Sequence, residues 1–204
     1  MLYLASITIG YFLGSFNFGI ILSKIIHKQD IRKMGSGNAG ATNALRNFGP
    51  AFAILVFFFD MLKGVAAVLI TKLFYGGNDT LYLLAGLFAV IGHLYPIYYK
   101  FKGGKGVATT SGVVIIVEPV VASILFGIFF LISFASRYIS LASVCAITLY
   151  PILVYFIYDN SIEKTIFAAI IALLVIFKHR SNIRRLIKGE ENKISLKSKG
   201  KNKK

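Results

Sequence analysis

Three polar clusters interrupt an otherwise apolar chain, and each carries residue types suited to holding phosphate. The first is Gly35-Ser36-Gly37-Asn38-Ala39-Gly40-Ala41-Thr42-Asn43, with Arg46 shortly after it. Glycines leave successive backbone N–H groups free to turn inward as an anion-binding nest, and Ser, Asn and Thr add further donors. The same stretch also reads as a flexible loop in which Ser36 or Asn43 caps a helix. The second cluster, Phe101-Lys102-Gly103-Gly104-Lys105-Gly106, feeds an apolar segment that opens at Val107. A Gly-rich loop at a helix N-terminus binds phosphate through backbone donors and the helix dipole, with lysines adding charge. A positively charged loop with a glycine turn would look the same. It is not a Walker A loop, because GxxxxGK followed by Ser or Thr does not occur. The third cluster runs from His179-Arg180 through Asn182, Arg184, Arg185 and Gly189 to Glu190-Glu191. Cations here also suit a helix C-terminus and anionic lipid headgroups.

Other chemistries find little support. No GxSxG elbow is present. His27, His93 and His179 lack metal-ligand spacing, so no metal is expected. The single cysteine, Cys145, lies deep in an apolar stretch and excludes an intrachain disulfide. What remains is a site rich in cations and donors with no evident nucleophile, which suits a substrate already activated and strongly anionic. Asp60 and Lys63 lie three residues apart inside an apolar span and are expected to pair across one helix face, a structural role. His93 reads either as a satisfied histidine of the bundle or as part of the site.

The elements that position these clusters are transmembrane helices. Of 204 residues 56% are hydrophobic and the mean hydropathy is +0.73, and the apolar residues come in blocks of the ~20 residues that span a bilayer. Spans are expected at 1–23, 48–73, 81–99, 138–158 and 162–177. Segment 107–135 breaks at Glu118-Pro119, since proline disfavours helix at the residue before it. Its first leg, 107–117, reaches only ~16 Å at 1.5 Å per residue, so either the bilayer is thin here or these two helices are short and shielded by neighbours. The expectation is an all-α integral membrane protein, a polytopic bundle of about seven transmembrane helices.

Charge assigns the sides. Lys24, Lys28, Arg32, Lys33 and Arg46 place the first loop inside, and Lys100, Lys102 and Lys105 place the third loop inside. The turns at Asp79 and Asp159 fall outside, the N-terminus outside and the C-terminus in the cytoplasm. No charge precedes the first apolar block, so it is expected to stay as a helix and not to be cleaved as a signal peptide. Eleven of the 23 Lys and Arg follow Phe177. That bias fits the anionic inner leaflet, and no nucleic acid is expected despite the formal charge of +15. Residues 1–191 read as one membrane domain and 192–204 as a basic, disordered cytoplasmic tail. All three polar clusters then meet on the cytoplasmic side.

In this order these residues resemble the PlsY family of bacterial acyl-phosphate:glycerol-3-phosphate acyltransferases. The likeness is carried by Ser36-Gly37-Asn38-Ala39-Gly40-Ala41-Thr42-Asn43 with Arg46, and by Gly92-His93 through Pro96 to Phe101-Lys102-Gly103-Gly104-Lys105-Gly106-Val107-Ala108-Thr109. His179-Arg180-Ser181-Asn182-Ile183 with Arg185-Leu186, Gly189 and Glu191 completes it, and Asp60 and Lys63-Gly64 fit the second helix. The resemblance implies transfer of a fatty acyl group from acyl phosphate to the 1-hydroxyl of glycerol 3-phosphate, releasing phosphate, in the first acylation of phospholipid synthesis. No cofactor is implied. Inner-leaflet lipids and a functional link to the soluble enzyme that makes acyl phosphate are.

Under that reading the acyl-phosphate head rests on Ser36, Gly37, Asn38, Gly40, Thr42 and Asn43, with Arg46 compensating charge. Lys102, Gly103, Gly104 and Lys105 hold glycerol 3-phosphate, and His179 and Asn182 close the site. Ser36, Arg46 and His179 are the catalytic candidates, while Asp60, Lys63, His93 and Glu191 are structural. The general base is His179 or a phosphate oxygen of the substrate. The competing classes are a membrane transporter of a phosphorylated metabolite and a scaffold that recruits an acidic partner. A transporter would place its polar groups near the midplane, and a scaffold gives no reason for two Gly-rich anion loops.

The orientation is open to a labelling test. Single cysteines at Asn78 and Asn160, in a Cys145→Ser background, should react with an impermeant thiol reagent added to whole cells. Labelling at Ser198 but at neither of those positions would invert the topology.

Overall fold

The structure is a computed structural model and describes residues 1–76, 78–159 and 161–194. The expected turn residues Gly77 and Asn160, and the tail beyond residue 194, lie outside the described residues. Ten α-helices follow one another: α1 (Leu2–Ser15), α2 (Phe18–His27), α3 (Ala41–Phe48), α4 (Pro50–Tyr75), α5 (Asp79–Leu94), α6 (Val107–Val117), α7 (Pro119–Ser136), α8 (Ile139–Ile157), α9 (Ile162–Lys178) and α10 (Arg180–Ile187). Short 3₁₀ turns at Ile31–Lys33 and Ile97–Tyr99 sit in the loops.

Among the described residues, five helical stretches are long and apolar enough to cross a bilayer: Leu2–His27, Pro50–Tyr75, Asp79–Tyr99, Pro119–Ser136 and Ile139–Ile157. α6 is apolar but has 11 residues. α9 has 17 and starts with Glu163 and Lys164 beside each other. The break expected at Glu118-Pro119 is present, with α6 ending at Val117 and α7 starting at Pro119. Large side chains such as Leu73, Leu131, Phe134 and Phe156 face outward, as a lipid-facing surface requires.

Two features depart from the sequence reading. The first apolar block is not one helix: Phe16 and Asn17 are extended and separate α1 from α2. The last three residues of the first polar cluster, Ala41 to Asn43, are helical, with Gly40 at the N-cap of α3.

Apolar lipid offers little hydrophobic drive to join helices, so close backbone packing carries more of the association. Gly10 and Gly14 of α1 lie directly on the backbone of Ala85 and Ala89 of α5, where any side chain would collide. Gly64 of α4 and Gly112 of α6 make the same kind of contact at Thr109 and Met61. One apolar cluster then fills the space among α5, α6, α8 and α9 around Leu94, Val113, Tyr150 and Ile171. A smaller one, around Ile20, Ile31, Ala44 and Val56, lies beneath the first loop.

The break after α1 exposes backbone polar groups inside the bundle, and Asp60 and Lys63 meet them. Lys63 Nζ donates to the Phe16 carbonyl at 2.5 Å, and the Phe18 N–H donates to Asp60 Oδ1 at 3.3 Å. The two side chains pair at 2.9 Å and both are buried. An ammonium can only donate, so His93 Nδ1, 2.8 Å from Lys63 Nζ, accepts from it. The expected pair therefore exists, and it binds α1, α2, α4 and α5 together.

Breaking a buried pair strands a charge at a cost of ~3–5 kcal/mol, whereas removing both partners costs less. Lys63→Met should lower the thermal midpoint in detergent sharply, and Asp60→Asn combined with Lys63→Met should recover part of the loss. Equal midpoints for the single and double variants would mean that the pair is not what holds the break.

Candidate active site

The first loop is built around Asn43, which is buried near the start of α3. Its Nδ2 donates to the carbonyls of Ile31, Met34 and Asn38 at 3.1, 3.0 and 2.9 Å. Its Oδ1 accepts from the Ser36 N–H and from Asn47 Nδ2, each at 3.0 Å. Every polar atom of this side chain is thus occupied in shaping the loop. Gly35 and Gly37 take positive φ of 54° and 72°, a conformation that glycine adopts without strain. Arg32 ties the loop to its neighbour: it pairs with Asp30 at 2.7 Å and donates to the Tyr99 carbonyl at 3.2 Å. The Arg32 hydrogen bond holds the Asp30 carboxyl down at about 2.

The second loop folds back over the end of α5. Gly104 N–H donates to the His93 carbonyl at 3.1 Å, and Gly103 and Gly104 lie so close to that carbonyl and to the imidazole that only glycine fits. The Asp60–Lys63–His93 cluster is therefore also a pedestal for this loop. Gly106, at φ 89°, caps α6 and aims its N-terminus at the site.

The third cluster closes the assembly. Lys105 Nζ donates to Asn182 Oδ1. Asn182 Nδ2 donates to Glu191 Oε1 at 3.0 Å, and Arg185 Nε donates to Glu191 Oε2 at 2.7 Å. Arg46 lies 3.8 Å from Glu191 and donates to the Asn192 carbonyl at 3.1 Å. One carboxylate thus gathers residues from α3 and α10 and, through Asn182, from the second loop. Arg185 and Asn182 outweigh its burial and keep the Glu191 carboxyl below its ordinary value. His179 Nδ1 is 2.8 Å from the Val175 carbonyl, an acceptor, so Nδ1 carries the proton and Nε2 holds a lone pair. Burial, with Lys105 adding to it, depresses His179 to about 4. Burial brings Lys105 down to about 8, and the charges of Arg185 and Arg46 act the same way against Glu191.

Between these groups lies a cavity of about 520 Å³. Ser36, Asn38, Gly40, Thr42, Asn43, Arg46, Lys105, His179, Asn182 and Glu191 line its polar end, and Asp60 and His93 touch it. Beyond them it continues as an apolar groove walled by α4, α6, α7 and α8. A second recess of about 250 Å³ is lined by Ser36, Gly37, Asn38, Gly103, Gly104 and Lys105, together with Lys178, Arg180 and Ser181. The N-termini of α3, α6 and α10 all open onto these spaces, and helix N-termini favour anions.

Of the residues expected to bind substrate or to catalyse, only Lys102 lines neither space; it is exposed, and its carbonyl accepts from Arg32 at 3.5 Å, and of the four expected to be structural Lys63 lines neither. Lys178 lines the second recess without having been named in the sequence, and Ser181 without a role assigned to it. Their signal was adjacency to His179-Arg180, where a basic flank for headgroups explained the charge equally well. Among the described residues no group of His, Cys, Asp or Glu could hold a metal, and no hydroxyl or thiol is hydrogen-bonded to His179.

Residues 4–189 match the family model described as glycerol-3-phosphate acyltransferase. A glycerol-3-phosphate acyltransferase of Staphylococcus carnosus is 42% identical over 201 residues, covering 95% of this chain and 98% of the relative. One from Thermoanaerobacter pseudethanolicus is 44% identical, covering 93% and 94%. Among solved structures, the glycerol 3-phosphate form of PlsY (YgiH), an integral membrane glycerol 3-phosphate acyltransferase, superposes with a TM-score of 0.88. It is 40% identical and the match covers 95% of this chain and 96% of that one. The lysophosphatidic acid form of PlsY gives a TM-score of 0.85 at 39% identity.

The anion site should be pH-sensitive through Lys105. As pH rises through about 8 the ammonium loses its proton, so titration calorimetry should show inorganic phosphate binding weaken there. In Lys105→Arg the guanidinium stays charged and the alkaline loss near pH 8 should disappear. A limb that stays near pH 8 in Lys105→Arg would assign the titration to another group.

Proposed function

The chain belongs to the glycerol-3-phosphate acyltransferase family, and on that premise we propose that its acyl donor is acyl phosphate and its product 1-acylglycerol 3-phosphate. The reaction takes place at the cytoplasmic face of a bacterial membrane, in a bundle of seven crossings with the N-terminus outside. The observation that carries this reading is the pair of recesses sharing Ser36, Asn38 and Lys105, only one of which opens into an apolar groove. Two anionic heads need two cation-lined spaces side by side, and only the donor carries a chain.

Acyl phosphate takes the larger cavity, with its head between the α3 N-terminus and Arg46 and its chain in the groove. Glycerol 3-phosphate takes the smaller recess, its phosphate met by Gly103, Gly104, Lys105, Lys178 and Arg180. An acyl phosphate is a mixed anhydride, so its carbonyl needs no covalent activation by the protein. The C1 hydroxyl attacks directly once it is positioned, and the phosphate departs against Arg46 and backbone donors. Family membership favours acyl transfer over the transporter and the scaffold.

His179 at about 4 is a poor base in the free site. A phosphate oxygen, whose second pKa is ~6, is the better proton acceptor. The Nε2 lone pair of His179 then orients the attacking hydroxyl, and Ser36 stands at the junction of the two recesses. Asn43 acts by shaping the loop, and Asp60, Lys63, His93 and Glu191 hold the loops in register. Residues 1–191 work as one membrane domain, and the basic charge of the sequence after them suits anionic inner-leaflet lipid. Supply of so reactive a donor implies a soluble enzyme that makes it nearby.

The decisive measurement supplies purified protein with glycerol 3-phosphate and either acyl phosphate or an acyl thioester. Phosphate and 1-acylglycerol 3-phosphate should appear in equal amounts with acyl phosphate alone; product from the thioester alone would reject the donor assignment. Arg46→Lys should lower kcat and kcat/KM together, since a point charge replaces a fork that grips the departing phosphate. Lys105→Ala should raise the KM for glycerol 3-phosphate far more than for the donor. Truncating one partner of a buried charge contact costs ~2–5 kcal/mol. A folded Lys105→Ala with unchanged KM for glycerol 3-phosphate would reverse the assignment of recesses.

A further inference from the structure

The residues that line the apolar groove end at a common depth, its floor. Its walls run from Val107 to Val114 on α6, from Phe130 back to Ala122 on α7, and from Ile139 to Ile147 on α8, and none continues deeper. At ~1.5 Å per residue these walls are about 10 to 12 Å long. One turn past the last wall residues lies Glu118. Its N–H donates to the Val114 carbonyl at 2.8 Å and its own carbonyl accepts from the Ala122 N–H at 2.9 Å. Tyr150, four residues beyond the wall residue Ala146 and so on the same helix face, donates its hydroxyl to Glu118 Oε2 at 2.6 Å. Both side chains are completely buried, and Glu118 Oε1 has no hydrogen-bond partner among the described residues.

Acyl transfer has no use for a carboxyl at this depth, so its consequence for the groove is physical. A terminal methyl that pushed on would enter a polar pair and break the hydrogen bond that offsets its burial. The apolar lining of the groove therefore ends where the pair begins. Ala122 adds the least bulk at that end, so its β-carbon leaves the last space open to the chain.

We infer that Ala122, Val114 and Ile147, backed by the Glu118–Tyr150 pair, set the acyl-chain length that the enzyme accepts. The inference rests on the proposed function only in placing the acyl chain within this groove, and it does not depend on which group activates the carbonyl. A side chain enlarged at the floor excludes methylenes from the groove, each worth about fourfold in the constant for partitioning into it. A side chain trimmed there admits more.

The test uses saturated acyl phosphates from decanoyl to octadecanoyl, competed in one reaction, with the acylglycerol phosphate products resolved by mass. Ala122→Phe should lower the ratio of longest to shortest products by about tenfold or more while short-chain turnover persists, which also shows that the variant folds. Ile147→Ala should move the profile toward longer chains. If Ala122→Phe does not purify as a monodisperse protein, Ala122→Val carries the same comparison with a smaller expected shift. A uniform loss across all lengths, or an unchanged profile in both the enlarged and the trimmed variant, overturns the inference. If wild-type protein makes no product from acyl phosphate, the donor assignment fails instead, and thioesters of the same lengths then test the floor by itself.

Discussion

The arrangement depends on a single buried ion pair. Asp60 and Lys63 sit on one face of α4 and meet at 2.9 Å, away from water, where neither charge is tolerable alone. Asp60 Oδ1 also accepts from the broken backbone between α1 and α2, and Lys63 donates to that backbone and to His93 at the end of α5, while Asp60 Oδ2 has no partner among the described residues. The first break fixes how the chain enters the first loop. The His93 contact fixes the surface on which Gly103 and Gly104 lie, so both anion-binding loops take their position from one pair.

Glycine at the loops and charge at the rim follow from that pedestal. Gly103 and Gly104 are required where backbone lies on His93, and Gly106 where the chain must turn left-handed before α6. Once the loops are held, the N-termini of α3, α6 and α10 face the same spaces without further design, and their dipoles favour anions. Glu191 then performs the complementary task. It neutralises part of the positive charge that would otherwise drive Arg46, Arg185 and Lys105 apart, and it leaves their donors close enough for phosphate to replace or share them.

The cavity changes character along its length for a reason visible in the helices. At the polar end it is walled by loops and helix starts, whose backbone donors are unpaired. Deeper in, it is walled by helix flanks, whose backbone groups are satisfied internally, so only side chains remain to face it. A phosphate head and an alkyl chain are thereby separated by secondary structure as much as by residue choice.

By itself the sequence determined the apolar blocks at 48–73, 81–99 and 138–158, the break at Glu118-Pro119, the three polar clusters and the i,i+3 pairing of Asp60 with Lys63. These depend on composition, on proline geometry and on helical period, all of which are local. Only tertiary structure decided what the pair was for, because Phe16 and His93 reach it from distant parts of the chain. It also decided that Asn43 shapes its loop with every polar atom of its side chain, that Lys102 points away from both recesses, and that Lys178 borders one. Sequence spacing states which residues share a face; it does not state which face another helix covers. The same holds for Glu118, whose neighbour in sequence is a proline but whose partner in space, Tyr150, lies 32 residues away.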